Sequence, residues 1–335
     1  MKIAIIGAGA IGGYVGVKLA LAGEDVTFMA RGANLQAINA QGMKLIDHDG
    51  NEQVASNVRA SSDYAATGAQ DMVIIALKAN QLEAVADDVG KLLGPDTMVV
   101  TMQNGVPYWY FHQHGGALAG SQVRSVDPTG DIYKKIPPER VIGCVVYPAC
   151  ELKAPGVVQH IEGDRFPVGE LDGSTTARVT RVSECFVRAG LKALVLDNIR
   201  AEIWLKLWGN LTFNPISSLA HATLVDICQF PLTRELAANM MTEAQTVANK
   251  LGIEFRVSLE KRIAGAEKVG KHKTSMLQDI EAGRSPEIDA LVGSVVELGQ
   301  LTNTPTPHIN TTYALVKLLA KSMAEVQGKV RLTAA

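Results

Sequence analysis

The sequence predicts an α/β Rossmann-type domain followed by an all-α domain. Three observations carry that prediction. A glycine-rich turn, GAGAIG (Gly7–Gly12), sits between an apolar run and a helical pattern at the start of the chain. Apolar runs of strand length then recur, separated by polar turns, as far as Asp197. From Asn198 onward strand signals vanish and helical periodicity takes over. The expected division is residues 1–197, a nucleotide-binding Rossmann-like domain, and 198–335, a helical domain for substrate and dimerisation.

The elements follow in order. Lys2–Ile6 reads as a strand buried on both faces. Gly13–Leu21 reads as a helix that Gly23 ends, and Asp25–Ala30 as a second strand. Asp71–Lys78 and Thr97–Gly105 are apolar runs that end in polar residues. Val106–Arg140 reads as a long loop, of the kind that serves as a lid or a mobile segment. Val141–Ala149, Gly156–Gly163 and Arg165–Leu171 should extend the sheet with antiparallel members. A helix over Thr175–Ala189 and a strand over Leu191–Asp197 close this half. Helices are expected at about 199–220, 232–251, 256–282, 286–302 and 307–326, with Thr302–Pro307 as a break.

Composition bounds the function. The chain has 335 residues, 47% hydrophobic and 20% charged, with a net charge of −2. No basic excess marks a nucleic-acid or acidic-membrane surface. The four cysteines form no CxxC pair and lie near no histidines at zinc spacing, which points to a reducing cytoplasm and no metal. His112 and His114 give a weak metal signal. The apolar first 23 residues are interrupted by Lys18 and diluted by glycine, so they read as neither a signal peptide nor a membrane anchor.

The glycine spacing has physical content. Gly7 permits a tight strand-to-helix turn, Gly9 lets backbone approach a pyrophosphate, and Gly12 lets the helix pack on the strand. Ala8, Ala10 and Ile11 complete the loop, whose helix N-terminus offers free N–H groups to phosphate. After the second strand an NAD site carries Asp or Glu. Here Arg31 stands in that place. A guanidinium suits a 2′-phosphate, which favours NADP(H); the competing reading is a solvated loop arginine. Lys78 and Asn104 close two strands at their carboxyl ends, where open sheets bind ligands; a solvated strand end and an Asn-Gly turn are the alternatives.

On the helix from Asn198, Lys206, Asn210 and Asn214 lie four apart and share a stripe among Leu205, Leu207 and Trp208. A charge amid apolar side chains is costly unless something pairs with it or uses it. A Glu202–Lys206 surface pair, worth only about 0.2–0.5 kcal/mol, is the bland alternative. Further on, Ser275, Asp279, Glu287 and Asp289 read as capping and surface residues, with Ser285 an N-cap, Pro286 the first helical residue and Glu287 in the first turn.

These segments together resemble the ketopantoate reductase (2-dehydropantoate 2-reductase) family. The resemblance rests on IAIIGAGAIG, ALKANQ, QNGV, NIRAEIWLKLWGNLTFNPISSL and KTSMLQDIEAGRSPEID. It implies NADPH-dependent reduction of 2-dehydropantoate to pantoate, in pantothenate and coenzyme A biosynthesis. It implies Lys206 as the general acid, and Asn210 and Asn214 as substrate-positioning residues. Ser275 and Glu287 would hold the carboxylate and hydroxyl end of the substrate. Lys78 and Asn104 would contact cofactor and active site, and Arg31 would anchor the NADP phosphate. The long 106–140 segment and bulky Trp208 depart from the family pattern, which leaves a reductase of another bulky 2-oxo acid as the alternative. A non-catalytic NADP(H) sensor is the rival from another class, and it would need no proton donor. The apolar helix surface also allows a homodimer.

Overall fold

The computed structural model describes residues 1–332. The chain forms two compact units: residues 1–103, 109–122 and 129–199, and residues 104–108, 123–128 and 200–335.

The first unit is Rossmann-type. Its main sheet contains β1 (Lys2–Ile6), β2 (Asp25–Met29), β5 (Arg59–Ser61), β6 (Gln70–Ile75), β7 (Leu93–Thr101), β8 (Val141–Cys144) and β11 (Val168–Gly169), and a smaller sheet contains β3 (Met43–Ile46), β4 (Glu52–Ala55), β9 (Ala149–Ala154) and β10 (Val157–Glu162). The main sheet has the order β11-β8-β7-β6-β1-β2-β5. All neighbours in it are parallel except β11, which runs against β8. Its central strands are Val- and Ile-rich because helices cover both faces of a parallel sheet. Ile3, Ile5, Val26, Phe28, Met72 and Ile74 join one core with the first helix, Ala10–Leu21.

Three expectations need correction here. The segment around Val157–Glu162 does not extend the main sheet. It joins the smaller sheet, order β4-β3-β10-β9, parallel to β3 and antiparallel to β9. Leu191–Asp197 alternates buried and exposed as a strand would and pairs in parallel with residues 164–168 through four backbone hydrogen bonds, but the pairing is confined to two separated points, at Lys192 and Val195, and forms no continuous strand. The 106–140 segment is not a bare loop. Tyr108, Trp109, Tyr110 and Phe111 are all almost fully buried, and Asp131–Lys135 forms a short helix. His112 Nδ1 lies 2.9 Å from Tyr133 Oη, and His114 Nδ1 lies 3.2 Å from the Gly115 carbonyl.

The second unit is helical: Ile199–Ala220, Leu224–Gln229, Pro231–Lys250, Leu259–Lys268, Ser275–Ala282, Ser294–Leu301 and Pro307–Glu325. The expected single helix over 256–282 is two, because Gly270 takes φ +80° and Thr274 starts a new N-cap by accepting from Leu277 N–H at 3.3 Å. Leu224–Gln229 was missed, although its capping box, Thr223 with Asp226, is visible in the sequence. The expected helix from Pro286 begins later and differently. A π-turn covers Asp289–Gly293 before regular helix resumes. Glu287 therefore stands before the turn, its carbonyl accepting from Leu291 N–H at 3.2 Å, and Pro286 is not the first helical residue. Among the described residues no helix is long and apolar enough to cross a membrane, and the four cysteines are free thiols.

Candidate active site

In the first unit the glycine loop is built by contact. Gly7 leaves β1 with φ +102°, a conformation a β-carbon disfavours. A β-carbon on Gly12 would sit 2.0 Å from the Gly7 carbonyl oxygen, so the helix can approach the strand only with glycine there. Over Gly9 the space within 4 Å is open. The helix starts at Ala10, inside the motif and earlier than the sequence suggested, with no side-chain cap and no acidic residue in its first turn. Its first N–H groups are thus left to a ligand, and the positive end of the dipole favours an anion. These features fit a dinucleotide pyrophosphate beside Ala8, Gly9, Ala10 and Ile11. Asn34 was not foreseen. Its Nδ2 donates to the Ala8 carbonyl at 3.1 Å and its Oδ1 accepts from Gly156 N–H at 3.0 Å, bracing the loop. No local sequence signal marks that role.

Arg31 follows β2 after one residue, exposed, at the N-cap of the helix Gly32–Gln41. Burial and then Asp88 push the Tyr64 phenol above its ordinary value, and the Arg31 charge opposes them. Lys78 caps the short helix Ala79–Leu82, its backbone N–H donating to Gln81 Oε1 at 3.2 Å. A separate 690 Å³ hollow is lined by Pro95, Asp96, Arg140, Arg178 and Arg181. It lies at the amino ends of β7 and β8, whereas open sheets bind ligands at the carboxyl ends. We therefore place no chemistry there.

In the second unit the helix Ile199–Ala220 buries Trp204, Leu207, Trp208 and Leu211 almost completely. Lys206 and Asn210 are only partly buried, on the opposite side. The Lys206 ammonium donates to Asn104 Oδ1 at 2.5 Å. This bond joins two of the predicted site residues. Asn214, two turns on, is 5% exposed, and its Nδ2 has no hydrogen-bond partner. Ser218, one turn further, is fully buried with its Oγ also unpartnered, and the sequence reading missed it. Buried polar groups without partners cost about 1–3 kcal/mol each, which sets these two apart on this face. Pro215 removes one rung of the ladder between these residues.

Ser275 is exposed in the first turn of its helix, and Glu287 is half-buried just before the π-turn. Two residues first read as plain surface groups have defined partners. Asp279 accepts from Arg284 Nε at 2.9 Å, and Asp289 accepts from Tyr313 Oη at 2.6 Å and Lys317 Nζ at 2.9 Å.

A glycine-loop parallel sheet and an ammonium aligned by an amide are the parts of a Rossmann-type oxidoreductase. Residues 3–173 match the family description "Ketopantoate reductase PanE/ApbA", and residues 198–320 match "Ketopantoate reductase PanE/ApbA C terminal". A 2-dehydropantoate 2-reductase from Mesorhizobium japonicum is 55% identical over 96% of this chain and 98% of its own. The protein belongs to the ketopantoate reductase family. A crystal structure from Ralstonia solanacearum MolK2, described as a candidate ketopantoate reductase, shares 44% identity and superposes with a TM-score of 0.92, over 96% of this chain and 98% of that one. A D-mandelate dehydrogenase solved with NADH and anilino(oxo)acetate shares 25% identity, with a TM-score of 0.83 over 97% of this chain and 99% of that one.

Proposed function

We propose that the protein is a 2-dehydropantoate 2-reductase, the name that its 55% identical relative carries, and that it uses NADPH to form pantoate. The observation that carries the mechanism is the Lys206–Asn104 hydrogen bond. When bound, NADPH would supply the hydride that the carbonyl carbon of the substrate receives. The carbon–oxygen π electrons then move to oxygen. Lys206 meets that growing negative charge with its ammonium and gives it a proton, leaving a neutral amine that takes a proton back from water. Asn104 fixes the direction of the ammonium. Asn210 and Asn214 position the substrate, and Ser275 and Glu287 hold its carboxylate and hydroxyl end. In the first unit Gly7–Gly12 and Lys78 would hold the cofactor, and Arg31 would pair with its 2′-phosphate.

A second reading has one observation in its favour. The D-mandelate dehydrogenase neighbour was solved with the 2-oxo acid anilino(oxo)acetate, so this architecture also admits aromatic 2-oxo acids. The test is initial-rate oxidation of NADPH, and separately of NADH, with ketopantoate and with aromatic and branched 2-oxo acids. Fast NADPH-dependent turnover of ketopantoate is expected, and its loss in Lys206→Ala. Turnover restricted to aromatic acids would replace the substrate and leave the mechanism. Normal turnover by Lys206→Ala would remove the proton donor.

A further inference from the structure

The residue after Asn104 is docked on a backbone irregularity. In an α-helix the Ser294 N–H would bond to the Ala290 carbonyl, four residues back. Here it bonds to Asp289, five back, which makes the π-turn. The Ala290 carbonyl is thereby released from the ladder. It accepts instead from Ser294 Oγ at 2.7 Å and from Val106 N–H at 3.0 Å. Between Asn104 and Val106, Gly105 takes φ +89°, and a β-carbon there would stand 2.2 Å from the Ala290 oxygen and 2.5 Å from its carbon. That is backbone against backbone, with no flexible side chain to yield. The far side of the π-turn is clamped as well. Asp289 holds Tyr313 Oη and Lys317 Nζ, and the Tyr313 ring lies against Gly293.

We propose that the π-turn Asp289–Gly293 is the positioning element of the active site: its released Ala290 carbonyl seats the Asn104–Gly105–Val106 turn and so aims the Lys206 ammonium. The inference rests on the reading of Lys206 as proton donor. Gly105, Ser294 and Tyr313 are then positioning residues, since none supplies the proton. Glu287 immediately precedes the same turn, so one element sets the backbone on which both Asn104 and Glu287 depend. A π-turn serves this end because it leaves one mid-helix carbonyl without its ladder donor, so a backbone N–H from another segment can take that place.

The experiment compares Lys206→Ala, Gly105→Ala and Tyr313→Phe in the intact protein. Each is measured for kcat, KM, the solvent deuterium isotope effect on kcat, NADPH affinity and melting temperature. Misplacement of about 1 Å at a reacting group costs up to about 100-fold in rate. Gly105→Ala should lose about 10–100-fold in kcat with a raised isotope effect, while NADPH affinity stays within about 2-fold of the parent. Tyr313→Phe loosens the clamp without a steric clash and covers the case in which Gly105→Ala fails to fold. It should lose about 3–10-fold in kcat, again with a raised isotope effect. If Lys206→Ala is inactive while a folded Gly105→Ala or Tyr313→Phe keeps parental kcat and isotope effect, the positioning role is overturned and the proton donor stands. If Lys206→Ala turns over normally, the donor fails and the positioning role falls with it.

Discussion

Trp208 sits two residues past Lys206, which on a helix is about 200° around the axis. It therefore points away from the polar stripe. Its ring is fully buried, stacks on Phe255 with centroids 4.1 Å apart, and donates through Nε1 to the Met241 carbonyl at 2.8 Å. The bulk of this side chain, which in the sequence seemed relevant to substrate choice, is thus spent on the core. Replacing it by phenylalanine tests that. The lost hydrogen bond is worth about 1 kcal/mol, and the Met241 carbonyl keeps its place in the helix ladder. The smaller ring leaves roughly 40 Å³, which at about 24 cal/mol per Å³ adds about 1 kcal/mol. A total of about 2 kcal/mol corresponds to a drop of about 4–8 °C in melting temperature for a unit of this size. Thermal unfolding followed by circular dichroism gives the first quantity, and steady-state kinetics with ketopantoate the second. Trp208→Phe should melt earlier with KM within about 2-fold of the parent, since the ring makes its contacts with Phe255 and the Met241 carbonyl in the core. An unchanged melting temperature with a KM raised 10-fold or more would show that the ring faces the substrate, and the orientation argument would be wrong.

Two further outcomes follow. Burial alone would raise the Glu24 carboxyl, but hydrogen bonds from the Met1 ammonium and Arg188 outweigh it, and the group is held below its ordinary 4.5. A depressed carboxyl contributes stability that is present above the unfolded value and lost as pH falls through the folded one. Glu24→Gln should therefore lower the melting temperature at pH 7 and flatten its dependence on pH below 4.5, as a melting series from pH 7 to 3 would show; a variant with the parental acid limb would remove Glu24 from that linkage. Arg31→Ala should raise KM for NADPH about 10-fold or more and leave KM for NADH nearly unchanged, because only NADPH offers a 2′-phosphate to the guanidinium. An equal rise for both coenzymes would make Arg31 a structural cap.

The parts of the site that sequence made legible are those with short-range geometry. Gly7, Gly9 and Gly12 are readable because a strand-turn-helix is local. Lys206, Asn210 and Asn214 are readable because a four-residue spacing fixes a common face. The π-turn is not readable, because DALVG carries no composition that separates a five-residue ladder from a four-residue one. The second sheet was missed because Val157–Gln159 pairs with Lys44–Ile46, a partner distant in sequence. The 106–140 segment misled for a related reason. Its polar stretches look like loop, while its stability comes from Tyr108–Phe111 packing against residues that no local pattern names. Ser218 lies on the same stripe one turn past Asn214, but a lone serine carries neither the charge nor the amide that makes Lys206 and the asparagines stand out.

The pairing of β10 with β3 also orders events during synthesis. The nucleotide-loop helix packs on that later strand: a β-carbon on Gly13 would lie 2.5 Å from Val158 Cγ2. The glycine motif leaves the ribosome before β10, and the surface its helix leans on is translated about 145 residues later. At about 5–20 residues per second that interval is on the order of ten seconds. During it the first helix lacks the cover that Val158 later gives its Gly13 side. Nicotinamide coenzyme would gain a complete seat only after β10 emerges.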